Sequence, residues 1–254
     1  MAHSLKTYQK LCTEFYDLVD HPRHVEALAF YMQKAQFVRG PILEPMCGTG
    51  RFLIPMLQAG LDVEGFDASA AMLEALRKRC RHICAQEAPV SLQFVQHFVS
   101  KRQYDLIFIP YGSFGLITHV HDAKHSLQKL YDHLAASGRL LVEIETVASV
   151  DPSHGVWQRI VNTREDGSKI ALNFCTSYHE HTQIFQSACR YELLVNDHVE
   201  VVEEELFEQY IYQWDECERV LEGIGFSHIQ KYPAYDSTRP SDKDTSIIIY
   251  ECIK

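Results

Sequence analysis

The amino-acid sequence predicts an α/β protein, a mostly parallel and doubly wound sheet with N-terminal helices and an inserted antiparallel β meander. Three observations carry this. Short apolar runs at 41–46, 61–66, 92–95, 104–110 and 139–144 alternate with helical periodicity, as strand–helix–strand units do. The run Ile42-Leu43-Glu44-Pro45-Met46 leads straight into Cys47-Gly48-Thr49-Gly50, a glycine-rich turn opening a helix. Residues 157–212 then become β-rich, in runs parted by Asp166-Gly167, His179-Glu180-His181 and Asn196-Asp197 turn signals.

The elements follow in order. Leu5, Tyr8, Leu11, Cys12, Phe15, Leu18 and Val19 recur at three and four residues and predict a first helix, and Pro22 opens a second that runs to Val38. After the glycine turn, Phe52, Leu53, Met56 and Leu57 share one helical side, with Pro55 tolerated in the first turn. Ser69 is the expected N-cap of a helix that buries Met72, Leu73 and Leu76. Gln96 to Gln103 is too short for a crossover helix, so a loop or single turn joins the third and fourth strands. Asp122 is expected to cap a helix with Leu127, Leu130, Tyr131 and Leu134 on its apolar face, stopped by Gly138. The meander gives way to a helix at 215–221, ended by Gly223 or Gly225, and to two strands at 226–232 and 246–252. No fixed period repeats, which excludes a solenoid.

Among 254 residues, 24 Lys and Arg stand against 34 Asp and Glu, a net charge of −10. That balance leaves no basic excess for phosphates and argues against nucleic-acid binding. No run approaches the roughly 18 apolar residues of a membrane helix. The start, MAHSLKTYQKLC, lacks the apolar core of a signal peptide, so a cytoplasmic location is expected. Eight scattered cysteines without a CxxC pair read as reduced thiols, with Cys80 and Cys84 on a buried helical face and no metal site.

Glycines at 48 and 50 let a ligand approach the backbone, and the helix start offers free N–H groups. Asp67 follows nineteen residues after Gly48, at the end of the second strand, where a carboxylate can accept from both hydroxyls of a ribose. An adenosine-containing ligand across the strand ends is the expectation. A dinucleotide fingerprint would place a third glycine where bulky Leu53 stands, and here an acid, Glu44, precedes Gly48 by four.

The stretch LEPMCGTGRFL…GFDASAAML resembles the first two motifs of class I S-adenosylmethionine-dependent methyltransferases, a Rossmann-like family. Tyr104 to Phe108, Arg139 to Ile144 and the segment LEGIGF resemble its later strands and late helix, over about 40–146 and 214–253. The N-terminal helices and meander are similar to its small-molecule branch, which includes sugar N,N-dimethyltransferases and glycine N-methyltransferase-like enzymes. The resemblance implies S-adenosylmethionine as cofactor, with Glu44, Gly48 and Gly50 shaping the methionine site and Asp67 holding the ribose. Met46, Cys47, Ala68, Met72, Pro110 and Tyr111 join them as cofactor contacts. Many relatives carry Gly-Asp after the third strand; here Val95-Gln96-His97-Phe98 stands instead, so with His97 at the Asp position adenine falls to a backbone carbonyl, the Gln96 amide or stacking on Phe98.

For catalysis, Glu143 on the fifth strand is a candidate for orienting substrate, with capping or ion pairing as its structural alternative. Tyr16 lies where relatives bring a tyrosine over the methyl-donor pocket, Tyr111 and Phe114 offer ring faces to a cation, and His119 is a candidate base beside His121. His179 and His181 have no third ligand in view. The domain plan is one unit: a helical cap over 1–38, a cofactor core over 39–149, a lid over 150–212 and a completion of the core over 213–254. Trp157, Arg159, Tyr210 and Tyr212 are expected to face the acceptor, or else strand edges of the meander pair two copies into a homodimer. The function read here is methyl transfer to N or O of a small molecule. The alternatives are a non-catalytic nucleotide-binding or interaction protein and an NAD-dependent oxidoreductase.

Overall fold

The computed structural model describes residues 5–19, 21–150 and 155–254; the ends of the expected cap and lid at 1–4 and 151–154 lie outside them. Two helices lead, α1 (Lys10–Leu18) and α2 (His24–Gln36). The core alternates β1 (Ile42–Pro45), α3 (Leu53–Gln58), β2 (Val63–Asp67), α4 (Ala70–Cys84), β3 (Val90–Leu92), β4 (Tyr104–Ile109), α5 (Val120–His133) and β5 (Leu134–Glu145). Then come β6 (Gln158–Thr163), β7 (Lys169–His179), β8 (Ile184–Val195), β9 (His198–Tyr210), α6 (Glu216–Ile224), β10 (His228–Pro233) and β11 (Ile247–Ile253). Seven strands form one sheet in the order β10-β11-β5-β4-β1-β2-β3, parallel from β5 to β3, with β11 antiparallel to β5; β6 to β9 form a second, antiparallel sheet.

Alternation along the central strands explains the two layers of helix. Leu106 and Phe108 of β4 pack with Tyr31, Leu53 and Leu73, while Ile107 and Ile109 pack with Leu127, Leu130 and Leu221. Helices α2, α3 and α4 therefore cover one face, and α5 and α6 the other. Ser69 caps α4 as expected, its Oγ accepting the Met72 N–H at 3.1 Å, and Cys80 is buried against the sheet with Cys84 beside it.

Four boundaries differ most from the sequence reading. Helix α1 begins only at Lys10, since Tyr8 takes φ +56° and the Glu205 carboxylate accepts the N–H groups of Tyr8 and Gln9 at 2.8 Å. Strand β3 ends at Leu92 opposite Asp67, and Val95–His97 is a 3-10 turn. Helix α5 starts after His119 with Asp122 in its first turn, where a carboxylate meets the positive helix end but does not cap it. That helix stops at His133: Leu134 pairs with Tyr104, and Gly138 lies inside β5, where a side chain would come within 2.8 Å of the Tyr104 carbonyl.

The meander is pinned at its far hairpin by Asn196 and Asp197, both at positive φ, as a two-residue turn requires. Helix α6 closes on Gly225 at φ +112°, with Gly223 still helical. A Cβ at Gly225 would meet nothing closer than the Tyr131 hydroxyl at 3.6 Å, so only the left-handed backbone opposes a side chain. Gly225→Ala is expected to cost about 1–2 kcal/mol, read as a lower urea midpoint with an unchanged slope.

Candidate active site

A cavity of about 420 Å³ opens at the carboxyl ends of β1, β2, β3 and β4, bordered by the glycine turn, Asp67 and the segments after β3 and β4. A larger cleft, about 640 Å³, lies between α1 and α4 and holds none of the candidate residues. The chemistry concentrates in the smaller one.

Met46, Gly48 and Gly50 all take positive φ, so the chain leaving β1 curls into a cradle. The two glycines serve different ends. A Cβ on Gly48 would meet only the Met72 sulfur at 4.0 Å, so its absence leaves cavity space, whereas a Cβ on Gly50 would sit 2.9 Å from Leu76 and break the packing of the turn on α4. Asp67 spans the cradle: its Oδ2 accepts the Gly48 N–H at 2.8 Å and its Oδ1 the Ser69 N–H at 2.7 Å. Burial pushes this carboxyl up, and the N–H groups of Ser69, Gly48 and Ala68 oppose the shift. Each oxygen keeps accepting capacity toward the cavity.

Glu44 lies one layer beneath. It is 2% exposed, accepts the Leu53 N–H at the start of α3, and leaves Oε2 buried without a hydrogen-bond partner among the described residues. Burial holds its carboxyl well above the ordinary range. A buried acceptor in want of a donor beside a glycine cradle, and a carboxylate with free lone pairs at the next strand end, fit the amino-acid and ribose ends of an adenosyl amino acid.

The wall opposite comes from α1 and the turn after β4. Tyr16 borders the cavity, with the Arg51 guanidinium carbon 4.1 Å above its ring. Arg51 also donates to the carbonyls of Tyr16 and Val19, the latter at 2.7 Å, clamping the end of α1. Tyr111, at φ +57°, borders the cavity too; its hydroxyl lies 2.6 Å from His24 Nδ1 and its ring stacks on His21 at 4.1 Å. Burial pulls the His21 imidazole below its ordinary value, helped by the nearby Arg51, His24 and Arg23. Burial raises both phenols, which stay protonated.

Of the expected cofactor contacts, Met46, Gly48, Asp67, Ala68, Met72, Gln96 and Tyr111 border the cavity. Glu44, Cys47, Gly50 and Pro110 do not; they support the turns from behind. His97 is exposed, and Phe98 is buried against Phe66 at 4.5 Å, so neither reaches the cavity, and Gln93 and Phe94 border it instead. The 3-10 turn at Val95–His97 causes this, advancing the chain less per residue than a strand would. His119 and His121 are exposed outside the cavity, and Phe114 is core. Glu143 is buried beneath Tyr111. From the meander, Leu206, Phe207 and Glu208 border the cavity, while Trp157 and Arg159 do not, and Tyr210 and Tyr212 pack toward α6. His21, Tyr8, Phe94 and the β9 residues carried no local motif that could have marked them.

Residues 42–138 match the family model described as a methyltransferase domain. Over this segment the chain is similar to methyltransferase domains. The methyltransferase resemblance read from the motifs is thus borne out over the core, and Leu53 and Glu44 had already set it apart from a dinucleotide fingerprint. Among curated proteins no relative matches. Solved structures match over nearly the whole length. An S-adenosylmethionine-dependent methyltransferase from Clostridium acetobutylicum is 17% identical, covering 94% of each chain at a TM-score of 0.77. The CcbJ methyltransferase from Streptomyces caelestis is 16% identical over 97% of each chain at 0.76. The sugar N-methyltransferase KedS8 from Streptoalloteichus is 14% identical, covering 100% of this chain and 95% of its own at 0.74. The methyltransferase fold therefore extends through the meander and the N-terminal helices.

Asp67→Ala removes a charged acceptor that, at about 1.5–3 kcal/mol per hydrogen bond, should weaken S-adenosylhomocysteine binding roughly ten- to several-hundredfold. Titration calorimetry on the folded variant checks this; equal affinity would assign Asp67 to loop support alone.

Proposed function

We propose that the protein transfers a methyl group from S-adenosylmethionine to a nitrogen of a small amine that carries no phosphate or carboxylate. The observation that carries the reading is the Asp67 bridge between Gly48 and Ser69 at the cavity mouth, over the unpartnered Glu44 oxygen. The cofactor, when bound, supplies a methyl already activated on a sulfonium. Asp67 offers two acceptor oxygens, Gly48 leaves room, and Tyr16 and Tyr111 remain neutral phenols that can donate hydrogen bonds or offer ring faces to a cation.

The acceptor class follows from charge. Among the described residues bordering the cavity, the acidic residues are Asp67 and Glu208, with no Lys or Arg. A neutral or cationic amine is favoured there and an anion opposed. An amine bound in its neutral form needs no dedicated base, so orientation supplies most of the rate. Solved neighbours described as sugar and glycopeptide N-methyltransferases support nitrogen over oxygen. We read 150–212 as the lid, acting through Leu206, Phe207 and Glu208, and the exposed β6 edge with Trp157, Ile160 and Val161 as the surface that would pair two copies. No helix among the described residues is long and apolar enough to cross a membrane.

Incubating the protein with S-adenosylmethionine and a library of amines, each beside a phosphorylated or carboxylated counterpart, should release S-adenosylhomocysteine only with the uncharged or cationic members. Cofactor binding without turnover on any acceptor would favour the non-catalytic reading. Leu206, 52% exposed at the cavity edge, gives the matching variant: Leu206→Ala should raise acceptor KM severalfold and leave S-adenosylhomocysteine affinity unchanged.

A further inference from the structure

The β4–β5 ladder ends at the pair Ile109 and Val142. Pro110 has no N–H, and the chain then turns left-handed through Tyr111 (φ +57°) and Gly112 (φ +64°). A non-glycine residue in that region is strained and needs its surroundings to hold it. The Tyr111 N–H points into the protein, where the Glu143 carboxylate accepts it. Two more donors converge on the same group: the Tyr31 hydroxyl from α2 reaches Oε2 at 3.1 Å, and the Tyr235 hydroxyl, from the segment after β10, reaches both oxygens at 3.1 and 3.2 Å. Glu143 is 2% exposed. No basic side chain is bonded to it among the described residues; its partners are two phenols and one amide.

We infer that Glu143 is a positioning residue for methyl transfer, acting through Tyr111: its ionised carboxylate holds the strained turn so that the Tyr111 ring forms the cavity wall. The inference rests on the methyl-transfer reading and deepens it. An ionised carboxylate only accepts, which suits three donors; protonation turns one acceptor site into a donor and removes the charge that strengthens the other bonds, so the hold on them weakens. The Tyr111 amide is the least supported elsewhere, because Pro110 interrupts the ladder before it. Its loss lets the turn relax and withdraws the ring from His21 and His24.

The groups around Glu143 set where this happens. Tyr31, Tyr235 and Tyr111 face it from α2, the segment after β10 and the β4 turn, and Glu145 adds like charge from β5. Arg23 lies beyond Tyr235, 4.7 Å over its ring, and Arg51 and His24 lie at the far end of Tyr111. Burial pushes the Glu143 carboxyl up to about 7, with the three donors opposing. The holding form therefore exists above that value and is lost as pH falls through it.

The test is calorimetric titration of the full chain with S-adenosylhomocysteine from below to above about pH 7. Wild-type affinity should fall severalfold as pH drops through this window. Glu143→Gln should bind weakly and evenly across it. Tyr235→Phe, which removes a donor that favours the ionised form, should move the wild-type midpoint to higher pH. Asp67 and His21 add their own steps, but these are common to wild type and Glu143→Gln, so the difference isolates Glu143. A folded Glu143→Gln with the wild-type profile would falsify the inference, and so would an unmoved Tyr235→Phe midpoint, which decides the matter if Glu143→Gln does not fold. Absence of binding by wild type at every pH sinks the methyl-transfer reading together with this one; binding that is flat with pH sinks this one alone.

Discussion

One carboxylate joins the segments that make the site. Asp67 ends β2, takes the Gly48 N–H of the cradle after β1, and takes the Ser69 N–H at the start of α4. Without it, two part-buried amides of non-repetitive backbone would go unpaired, at up to about 1–3 kcal/mol each. The same geometry leaves its outer lone pairs facing the cavity. Structural support and the ligand contact we propose therefore fall on one side chain, and neither the cradle nor α4 is positioned independently of it.

The second constraint is the closure of the cavity from above. Helix α1 does not pack on the central sheet. Leu11, Cys12 and Phe15 bury themselves against Ile170, Cys189 and Tyr191 of the meander, and Glu203 and Glu205 of β9 accept the N–H groups at its start. Arg51 then ties the other end of α1 to the loop that begins α3. The first helix and the inserted sheet thus act as one roof, fastened to the core by two cations, Arg51 and also Arg79 of α4, which donates to Asp17 at 3.1 Å. This is why Tyr16 from one end of the chain and Leu206 from the other border the same space.

Local order was legible wherever a residue's role depended on its neighbours in sequence. The Ser69 cap, the Met72, Leu73 and Leu76 face, the Asn196-Asp197 hairpin and the Gly225 stop all rest on short-range hydrogen bonds and backbone conformation. The misreadings share a cause. Gly138 looked like a helix stop because it follows a helical stripe, yet pairing of Leu134 with Tyr104 ends the helix earlier and leaves the glycine where β5 passes close to β4. Tyr8 belongs to the helical stripe by spacing, but the Glu205 carboxylate, nearly two hundred residues away, rewards a different backbone. His97 and Phe98 were assigned to adenine by their place after a strand, and a single 3-10 turn sends one to solvent and the other to the core.

By itself the sequence determined the α/β class, the strand–glycine turn–helix with its acid at Asp67 and the presence of an inserted sheet, because spacing and residue type alone encode them; the methyl donor followed from the resemblance of its motifs to a methyltransferase family. Tertiary structure decided which side chains meet. It turned Glu143 from a group facing substrate into the buried acceptor beneath Tyr111, moved the roof contacts from Trp157 and Arg159 to Leu206 and Phe207, and brought His21 onto Tyr111. Those outcomes depend on the register of β9 against β8 and on the left-handed turn after Pro110. A shift of one residue in a strand reverses the face of every side chain it carries, and nothing local to that strand records the pairing that sets it.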